Sequence, residues 1–345
     1  MTKIVFAGGG SAGHALPSIR VALEIKKRGY GVCYLGADNS IEKSLCEQYD
    51  IEFYPIKTAK FNRSKKLSVL SAVISNFIGI FQAIRALRLL NVVGVFASGG
   101  FASFPVVVAA RLIGIKRIII HACDLSIGLS NKLCLPFSSD ISCTFESTTA
   151  ISRKAFHSGP IVDARILNIC KNVRNKKPTL LLYGGSLGAQ VLNKKIRDDL
   201  EHLLPSFNII HICGKGNFNE AYHDISGYEQ YEYVFDFADI LAQVDVAICR
   251  AGSNSLWELV LTRTPHLAVP IPMTIGRGDQ QENCQYFASK GVTHWIEQNE
   301  FIEANLNETV LNILAKSAVV MKKMKELTPE KSAVSNLAER LLQEN

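Results

Sequence analysis

Two glycine-rich turns carry the residues most able to do chemistry. The first is Gly8-Gly9-Gly10-Ser11-Ala12-Gly13-His14, entered from the apolar run Ile4–Ala7. The second is Gly184-Gly185-Ser186-Leu187-Gly188-Ala189, entered from Leu180–Tyr183. Each joins a strand-like run to a helix-like run. Such a turn points backbone N–H groups outward at the start of a helix, where the helix dipole favours an anion, so phosphate is the ligand group it suits. His14 closes the first turn. An imidazole there titrates near neutrality and can serve as a general base; it can equally be a capping or surface histidine. The first turn does not read as GxGxxG. No acid stands about 20 residues on, the first candidates being Asp38 and Glu42, so a dinucleotide site is the lesser alternative.

Two further segments repeat the theme. In Ala247-Ile248-Cys249-Arg250-Ala251-Gly252-Ser253-Asn254-Ser255-Leu256-Trp257-Glu258 a strand delivers a turn of small residues and then a helix. Its N–H groups at 252–255 can bind phosphate, and Glu258 can accept two ribose hydroxyls or simply favour the helix start electrostatically. After Val269-Pro270-Ile271-Pro272 comes Asp279-Gln280-Gln281-Glu282-Asn283. An Asp-Gln pair can fan hydrogen bonds onto sugar hydroxyls; the plain reading is an N-cap aspartate beside a solvated glutamine. The eight histidines are dispersed, there is no DxD pair and no nucleophilic triad, so no metal site is expected.

Alternating strands and helices must position these turns. The first half reads as strands at 3–7, 31–35, 51–56, 92–97, 116–121, 141–145 and 155–158, with helices near 15–28, 40–49, 67–90, 103–113 and 126–135. The second half gives strands at 179–183, 208–212, 231–235, 244–249, 266–269 and 292–295. Its helices fall near 188–201, 238–242, 253–262 and 279–290, and further helices end with one at 331–343. Repeated βαβ units imply parallel sheets with ligands at the carboxyl ends of their strands. The polar stretch Gly159–Pro178 reads as a linker, giving two α/β domains, 1–163 and 164–345, with the last helix able to pack back on the first domain.

The chain has 345 residues, enough for two cores. Nine scattered cysteines without a CxxC pair fit a reducing compartment, and the apolar start is too short for a signal peptide. Charge divides unevenly. Residues 1–165 hold 20 Lys/Arg against 10 Asp/Glu, and residues 166–345 hold 18 against 21. No acid lies between Glu52 and Asp124, a stretch that contains Lys57, Lys60, Arg63, Lys65, Lys66, Arg85, Arg88, Arg111, Lys116 and Arg117. An anionic partner is implied. Few aromatics and no known nucleic-acid motif accompany these charges, so nucleic acid is not expected. Residues 67–84 carry no charge, and Lys65-Lys66 and Arg85-Arg88 flank them. Polar residues such as Ser71, Ser75, Asn76 and Gln82 argue against a membrane span. A helix lying on an anionic membrane surface and a core helix with solvated ends both remain open.

Taken in order, these motifs resemble the MurG glycosyltransferases, which have the GT-B fold of two Rossmann-like parallel-sheet domains facing a central cleft. The resemblance spans nearly the whole chain. It rests on Gly9-Gly10-Ser11-Ala12-Gly13-His14 with Pro17, on Ser98-Gly99-Gly100-Phe101 with Pro105, and on Gly128-Leu129-Ser130-Asn131-Lys132. It continues through Gly184–Ala189, Cys249-Arg250-Ala251-Gly252 with Glu258, and Asp279-Gln280 with Asn283. The resemblance implies inverting transfer of N-acetylglucosamine from UDP-N-acetylglucosamine to an undecaprenyl-diphosphate-linked muramoyl-pentapeptide in peptidoglycan synthesis. It implies no metal or other cofactor. Ser186 and the turn Gly252, Ser253 and Asn254 would hold the UDP phosphates, Glu258 the ribose, the backbone near Val234 the uracil, and Asp279 with Gln280 the sugar, with Arg250 also among the donor-binding residues. Ser11, Ala12, Gly13 and Asp124 would reach the donor from the first domain, with His14 as base. Gly10, Ser98, Gly99, Gly100 and Asn131 would take the acceptor. Lys65, Lys66, Phe77, Phe81, Arg85 and Arg88 would dock the enzyme peripherally on the cytoplasmic face of the cell membrane. The chain departs from the family pattern at Ala12, Ala122, Asp124 and Asp163, with Arg165 two residues later. A relative acting on another lipid acceptor is therefore the alternative. A hydrolysing epimerase or a non-catalytic sugar-nucleotide binder fits the motifs less well.

Overall fold

In a computed structural model, described for residues 2–59, 66–169, 176–329 and 331–343, the chain forms two compact units, residues 1–162 with 331–345, and residues 163–330. The first unit runs β1 (Lys3–Ala7), α1 (Ala12–Lys27), β2 (Gly31–Gly36), α2 (Ile41–Gln48), β3 (Glu52–Pro55) and α3 (Lys66–Leu89). It continues with β4 (Val92–Ala97), α4 (Ser103–Leu112), β5 (Arg117–Ala122), α5 (Leu129–Cys134), β6 (Asp140–Cys143) and β7 (Ala155–His157). The second unit begins β8 (Thr179–Tyr183), α6 (Gln190–Asp198), α7 (Leu200–Leu203), β9 (Asn208–Ile212), β10 (Tyr228–Tyr231), α8 (Phe237–Gln243) and β11 (Val246–Cys249). Then come α9 (Ser253–Leu261), β12 (His266–Ala268), α10 (Asp279–Ser289), β13 (His294–Trp295), α11 (Gln298–Glu303), α12 (Leu306–Ala315) and α13 (Ser317–Glu326). The chain returns to the first unit as α14 (Ala333–Leu342), where Arg28 donates from Nη2 to Ser335 Oγ at 2.8 Å and Arg117 donates to the Leu341 carbonyl at 3.0 Å.

Both sheets are parallel throughout. Their orders are β3-β2-β1-β4-β5-β6-β7 and β10-β9-β8-β11-β12-β13. Central strands covered on both faces must be apolar on both faces. Ile4–Ala7, Ile118–Ile120 and Leu180–Leu182 are accordingly buried at 1% exposure or less. In each sheet the strand order reverses at the centre, between β1 and β4 and between β8 and β11. Loops diverge there and open a crevice at the carboxyl ends of the strands.

Several boundaries differ from the sequence reading. The strand expected at 231–235 lies at Tyr228–Tyr231. It pairs only with β9, whose ladder ends where Cys213 N–H meets the Tyr231 carbonyl and Gly214 turns left-handed at φ +90°. Val234 therefore sits in a loop. The helix expected at 188–201 breaks at Asp199 into α6 and α7, and α1 starts earlier than expected, at Ala12. Pro17 lies inside α1, and Gly13, four residues earlier, has its carbonyl 4.0 Å from Cys123 Sγ.

Candidate functional site

In the first unit the loops after β1 and β4 lie backbone against backbone. Gly9 N–H donates to the Gly99 carbonyl at 3.3 Å, and Ser98 N–H to the Ala7 carbonyl at 3.0 Å. Gly100 has φ +77°, and a Cβ there would stand 1.9 Å from the Gly9 carbonyl oxygen, so only glycine fits. Ser18 and Ser98 tie the bottom of this junction. Their hydroxyls are 2.6 Å apart, Ser18 Oγ also reaches the Ala7 carbonyl at 2.8 Å, and Ser98 Oγ bonds the His14 carbonyl. The Ser98 hydroxyl is thus buried and engaged in holding the start of α1. Above it the tip at Gly10, Ser11 and Gly13 is exposed.

Ser11 occupies the N-cap of α1 with extended backbone, and its side chain makes no capping bond. Gly128 before α5, Ala189 before α6, Gly252 before α9 and Gly278 before α10 likewise supply no side-chain cap. By contrast Ser40 caps α2 and Asn305 caps α12 with their side-chain oxygens. The starts of α1, α5, α6, α9 and α10 thus lack the side-chain cap that Ser40 gives α2, and a helix start without such a cap suits an anion.

His14 Nδ1 lies 3.2 Å from the Ser98 carbonyl. A carbonyl only accepts, so Nδ1 carries the proton and the lone pair of the neutral ring is on Nε2. The same contact stabilises the imidazolium that forms if Nε2 takes a proton. Nearby, burial and then the His14 charge push the buried His121 down to about 3, so it stays neutral, bonded to Ser142 and Thr144. Asn131 Nδ2 donates to the His121 carbonyl at 2.7 Å, while its Oδ1 is buried without a partner beside Gly99. Asp124 follows β5 at the same edge, half-buried. The structure thus gathers Gly10, Ser11, Ala12, Gly13, His14, Ser98, Gly99, Gly100, Asp124 and Asn131 at the carboxyl ends of β1, β4 and β5.

In the second unit Ser186 follows β8, Val234 follows β10, and Arg250 to Asn254 follow β11. Glu258 projects from α9 and is 7% exposed. Burial, then Cys249 and Glu258, hold the Tyr183 phenol well above its usual range. Gly188 and Gly214 interlock as Gly9 and Gly100 do: a Cβ on Gly188 would lie 1.9 Å from the Cys213 carbonyl. Arg250 is spent on scaffolding. Its Nη1 donates to the Val269 and Pro270 carbonyls at 3.1 and 3.0 Å, and its Nη2 to Gln298 Oε1 at 2.6 Å. Gln280 Oε1 accepts from Ile271 N–H at 3.0 Å, and Gln281 Nε2 donates to the Ile271 carbonyl at 2.8 Å. Asp279 opens α10, and Arg277 reaches it at 3.3 Å. Asn283 Nδ2 donates to the Ala251 carbonyl at 3.0 Å. Sequence reasoning missed Ser18, Glu42, Gln281 and Gln298 as supports. Arg165, at the departure noted above, pairs with Asp163 at 2.8 Å and Asp236 at 3.1 Å, next to the Val234 loop.

On α3, Ala72, Asn76, Gly79, Ala83 and Leu87 are buried, whereas Val73, Ile74, Phe77, Ile78 and Phe81 are exposed, as are Arg85 and Arg88. Lys65 lies outside the described residues, and Lys66 opens the helix. Ala72–Leu89 is long and apolar enough to cross a membrane by length and composition alone, yet its inner face packs on this unit. The core-helix reading accounts for the inner face, and the outer face is apolar and exposed. Among the described residues no group of three or more His, Cys, Asp or Glu side chains could hold a metal ion.

Residues 4–141 match the pattern of the glycosyltransferase family 28 N-terminal domain, and residues 179–341 that of the glycosyltransferase family 28 C-terminal domain. The UDP-N-acetylglucosamine–N-acetylmuramyl-(pentapeptide) pyrophosphoryl-undecaprenol N-acetylglucosamine transferase of Clostridium novyi (strain NT) is 36% identical over 343 residues, covering 95% of this chain and 91% of the relative. The enzyme of the same name from Legionella pneumophila (strain Corby) is 36% identical over 344 residues, covering 95% and 93%. The crystal structure of Acinetobacter baumannii MurG matches with a TM-score of 0.74 at 24% identity over 99% of both chains, an agreement in the GT-B fold. Both halves are matched, and relatives well above 30% identity run along nearly its whole length, so the chain belongs to glycosyltransferase family 28, within the MurG family.

Proposed function

We propose that the protein transfers N-acetylglucosamine from UDP-N-acetylglucosamine to an undecaprenyl-diphosphate-linked muramoyl-pentapeptide. What carries this reading is the pairing of relatives of that name along 95% of the chain with a histidine whose tautomer suits a base. The acceptor hydroxyl oxygen bonds to the anomeric carbon from the face opposite UDP. The carbon–oxygen bond to the β-phosphate breaks, His14 Nε2 takes the hydroxyl proton, and the electron pair leaves with UDP. N–H groups around Ser186 and at Gly252–Asn254 face the phosphate charge, Glu258 the ribose, Val234 the uracil, and Asp279 with Gln280 the sugar. In this reading those dipoles balance the leaving group without a metal. Arg250 acts by fixing the loop after β12.

The outer face of α3, with Phe77 and Phe81 in edge contact at 5.3 Å and Arg85 and Arg88 beside them, supports docking on an anionic membrane surface. The acceptor's lipid carrier would lie in the cytoplasmic leaflet of the cell membrane. Transfer of radiolabelled UDP-N-acetylglucosamine to a short-chain acceptor analogue, with EDTA present, tests the assignment. The expected result is transfer, with His14→Ala lowering kcat by roughly 10²–10⁴-fold and leaving donor binding unchanged. Tight donor binding without transfer to this acceptor would move the assignment to another lipid acceptor.

A further inference from the structure

Behind the first glycine loop lies a side chain with no place in this mechanism. Glu42, in the first turn of α2, is 0% exposed. Its Oε1 accepts a long bond from Ala37 N–H at 3.4 Å, and its Oε2 is buried without a partner. The groups facing it carry no countercharge. They are the Tyr34 phenol, which is bonded to the Gly8 carbonyl at 2.5 Å, the Cys46 thiol, pushed up to about 12, and Gly9 and Gly36. Two glycines build the slot. A Cβ on Gly9 would stand 2.2 Å from Glu42 Oε1, and a Cβ on Gly36 would stand 2.9 Å from Glu42 Cγ. Neither glycine has a positive φ, so backbone freedom does not call for them; room does, for Glu42 at Gly9 and for Glu42 together with the Phe53 ring, 3.1 Å from such a Cβ, at Gly36.

A buried carboxyl group with an unpartnered oxygen costs stability, and an apolar side chain would fill the slot more cheaply. We propose that Glu42 is a positioning residue: wedged behind Gly9, its carboxyl group sets the direction in which the Gly10-Ser11 backbone presents its N–H groups. The consequence for catalysis rests on the function proposed above; the consequence for the loop does not.

A double-mutant cycle on the full chain tests it, using Gly9→Ala, Glu42→Ala, the pair, and Glu42→Gln. The readouts are hydrogen exchange over residues 7–16 and kinetics of N-acetylglucosamine transfer to the short-chain acceptor analogue. Glu42→Ala is expected to speed exchange in that segment while the other strands of its sheet stay protected, and Glu42→Gln, which fills the same slot, to leave it at the wild-type rate. Glu42→Ala should raise the acceptor KM about tenfold and leave the donor KM within about twofold. Gly9→Ala should be as harmful as Glu42→Ala, and the pair no worse than either, because truncating Glu42 removes the overlap. Unchanged exchange at residues 7–16 in Glu42→Ala, or fully additive Gly9→Ala and Glu42→Ala effects, would overturn the proposal. Absence of transfer by the wild type would instead count against the proposed function and leave the exchange result to decide on Glu42.

Discussion

At the scale of single residues, glycine serves two separate needs here, and they give different penalties. Gly100 combines φ +77° with a backbone oxygen 1.9 Å from where a Cβ would be. Gly185 has φ +87° but nothing within 4 Å. Gly185→Ala should therefore cost only the left-handed strain, about 1–2 kcal/mol. Gly100→Ala must also push apart the loops after β1 and β4, at a cost of roughly 3 kcal/mol or more. Urea unfolding of both variants checks the order; equal penalties would mean the loop junction yields freely. The glycines, His14 and Glu258 were legible in the sequence because a strand–turn–helix pattern fixes where such residues face. The roles of Arg250, Ser98 and Gln280 were not legible. Each carries polar atoms that could meet a ligand, yet each is engaged by a backbone carbonyl or N–H contributed from a segment distant in sequence. Glu42 was legible only as an acid at the end of β2; that it turns inward depends on Gly9 and Gly36, 33 and 6 residues away.

At the scale of elements, the parallel strands announced themselves as short apolar runs stopped by glycine or proline. β10 did not, because Tyr228-Glu229-Gln230-Tyr231 reads as more polar than the Tyr233-Val234-Phe235 that follows it. Ladder partners, which the local sequence does not contain, decided its position. α3 was ambiguous for a related reason: apolar residues surround it, so periodicity could not select an inner face. The structure selects one through close approach. Gly79 faces the Lys57 carbonyl, which a Cβ would meet at 2.0 Å, and Asn76 bonds Thr58 and the Ala59 carbonyl. Among the described residues the outer face, with Phe77 and Phe81 each 61% exposed, is left open to solvent. Replacing both by serine should leave stability within about 0.5 kcal/mol and weaken binding to phosphatidylglycerol vesicles by at least about tenfold. Raising the salt concentration should weaken wild-type binding as well, through Arg85 and Arg88. Vesicle sedimentation that is indifferent to both changes would remove α3 as a membrane-docking element.

At the scale of the whole molecule, three buried imidazoles set how the protein responds to acid. Burial pushes His121 and His211 down to about 3 and His266 to about 4, with smaller contributions from His14 and Arg197 to the first two. Each neutral ring is matched to its partners. His211 donates from Nε2 to Asn193 Oδ1 at 2.9 Å and accepts at Nδ1 from the Tyr228 hydroxyl at 2.6 Å. His266 donates from Nδ1 to the Thr264 carbonyl at 2.9 Å and accepts at Nε2 from Thr293 at 2.8 Å. A second proton on either ring would turn the Tyr228 or Thr293 hydroxyl from donor to acceptor and leave a charge in a buried site. The folded values lie below the unfolded value near 6.5, so between about pH 4 and 6.5 the unfolded chain binds more protons. Stability from these groups is complete above about pH 6.5 and falls as the pH drops, by about 2 kcal/mol for each imidazole between pH 7 and pH 5. The loss is unequal, with one such histidine in the first unit and two in the second. Both tryptophans, Trp257 and Trp295, belong to the second unit, so their fluorescence reports its unfolding selectively. In urea, the fluorescence transition should lose about 4 kcal/mol from pH 7 to pH 5, and His266→Gln should halve that loss. A transition that holds steady over this range would mean that these rings take up their protons inside the folded chain.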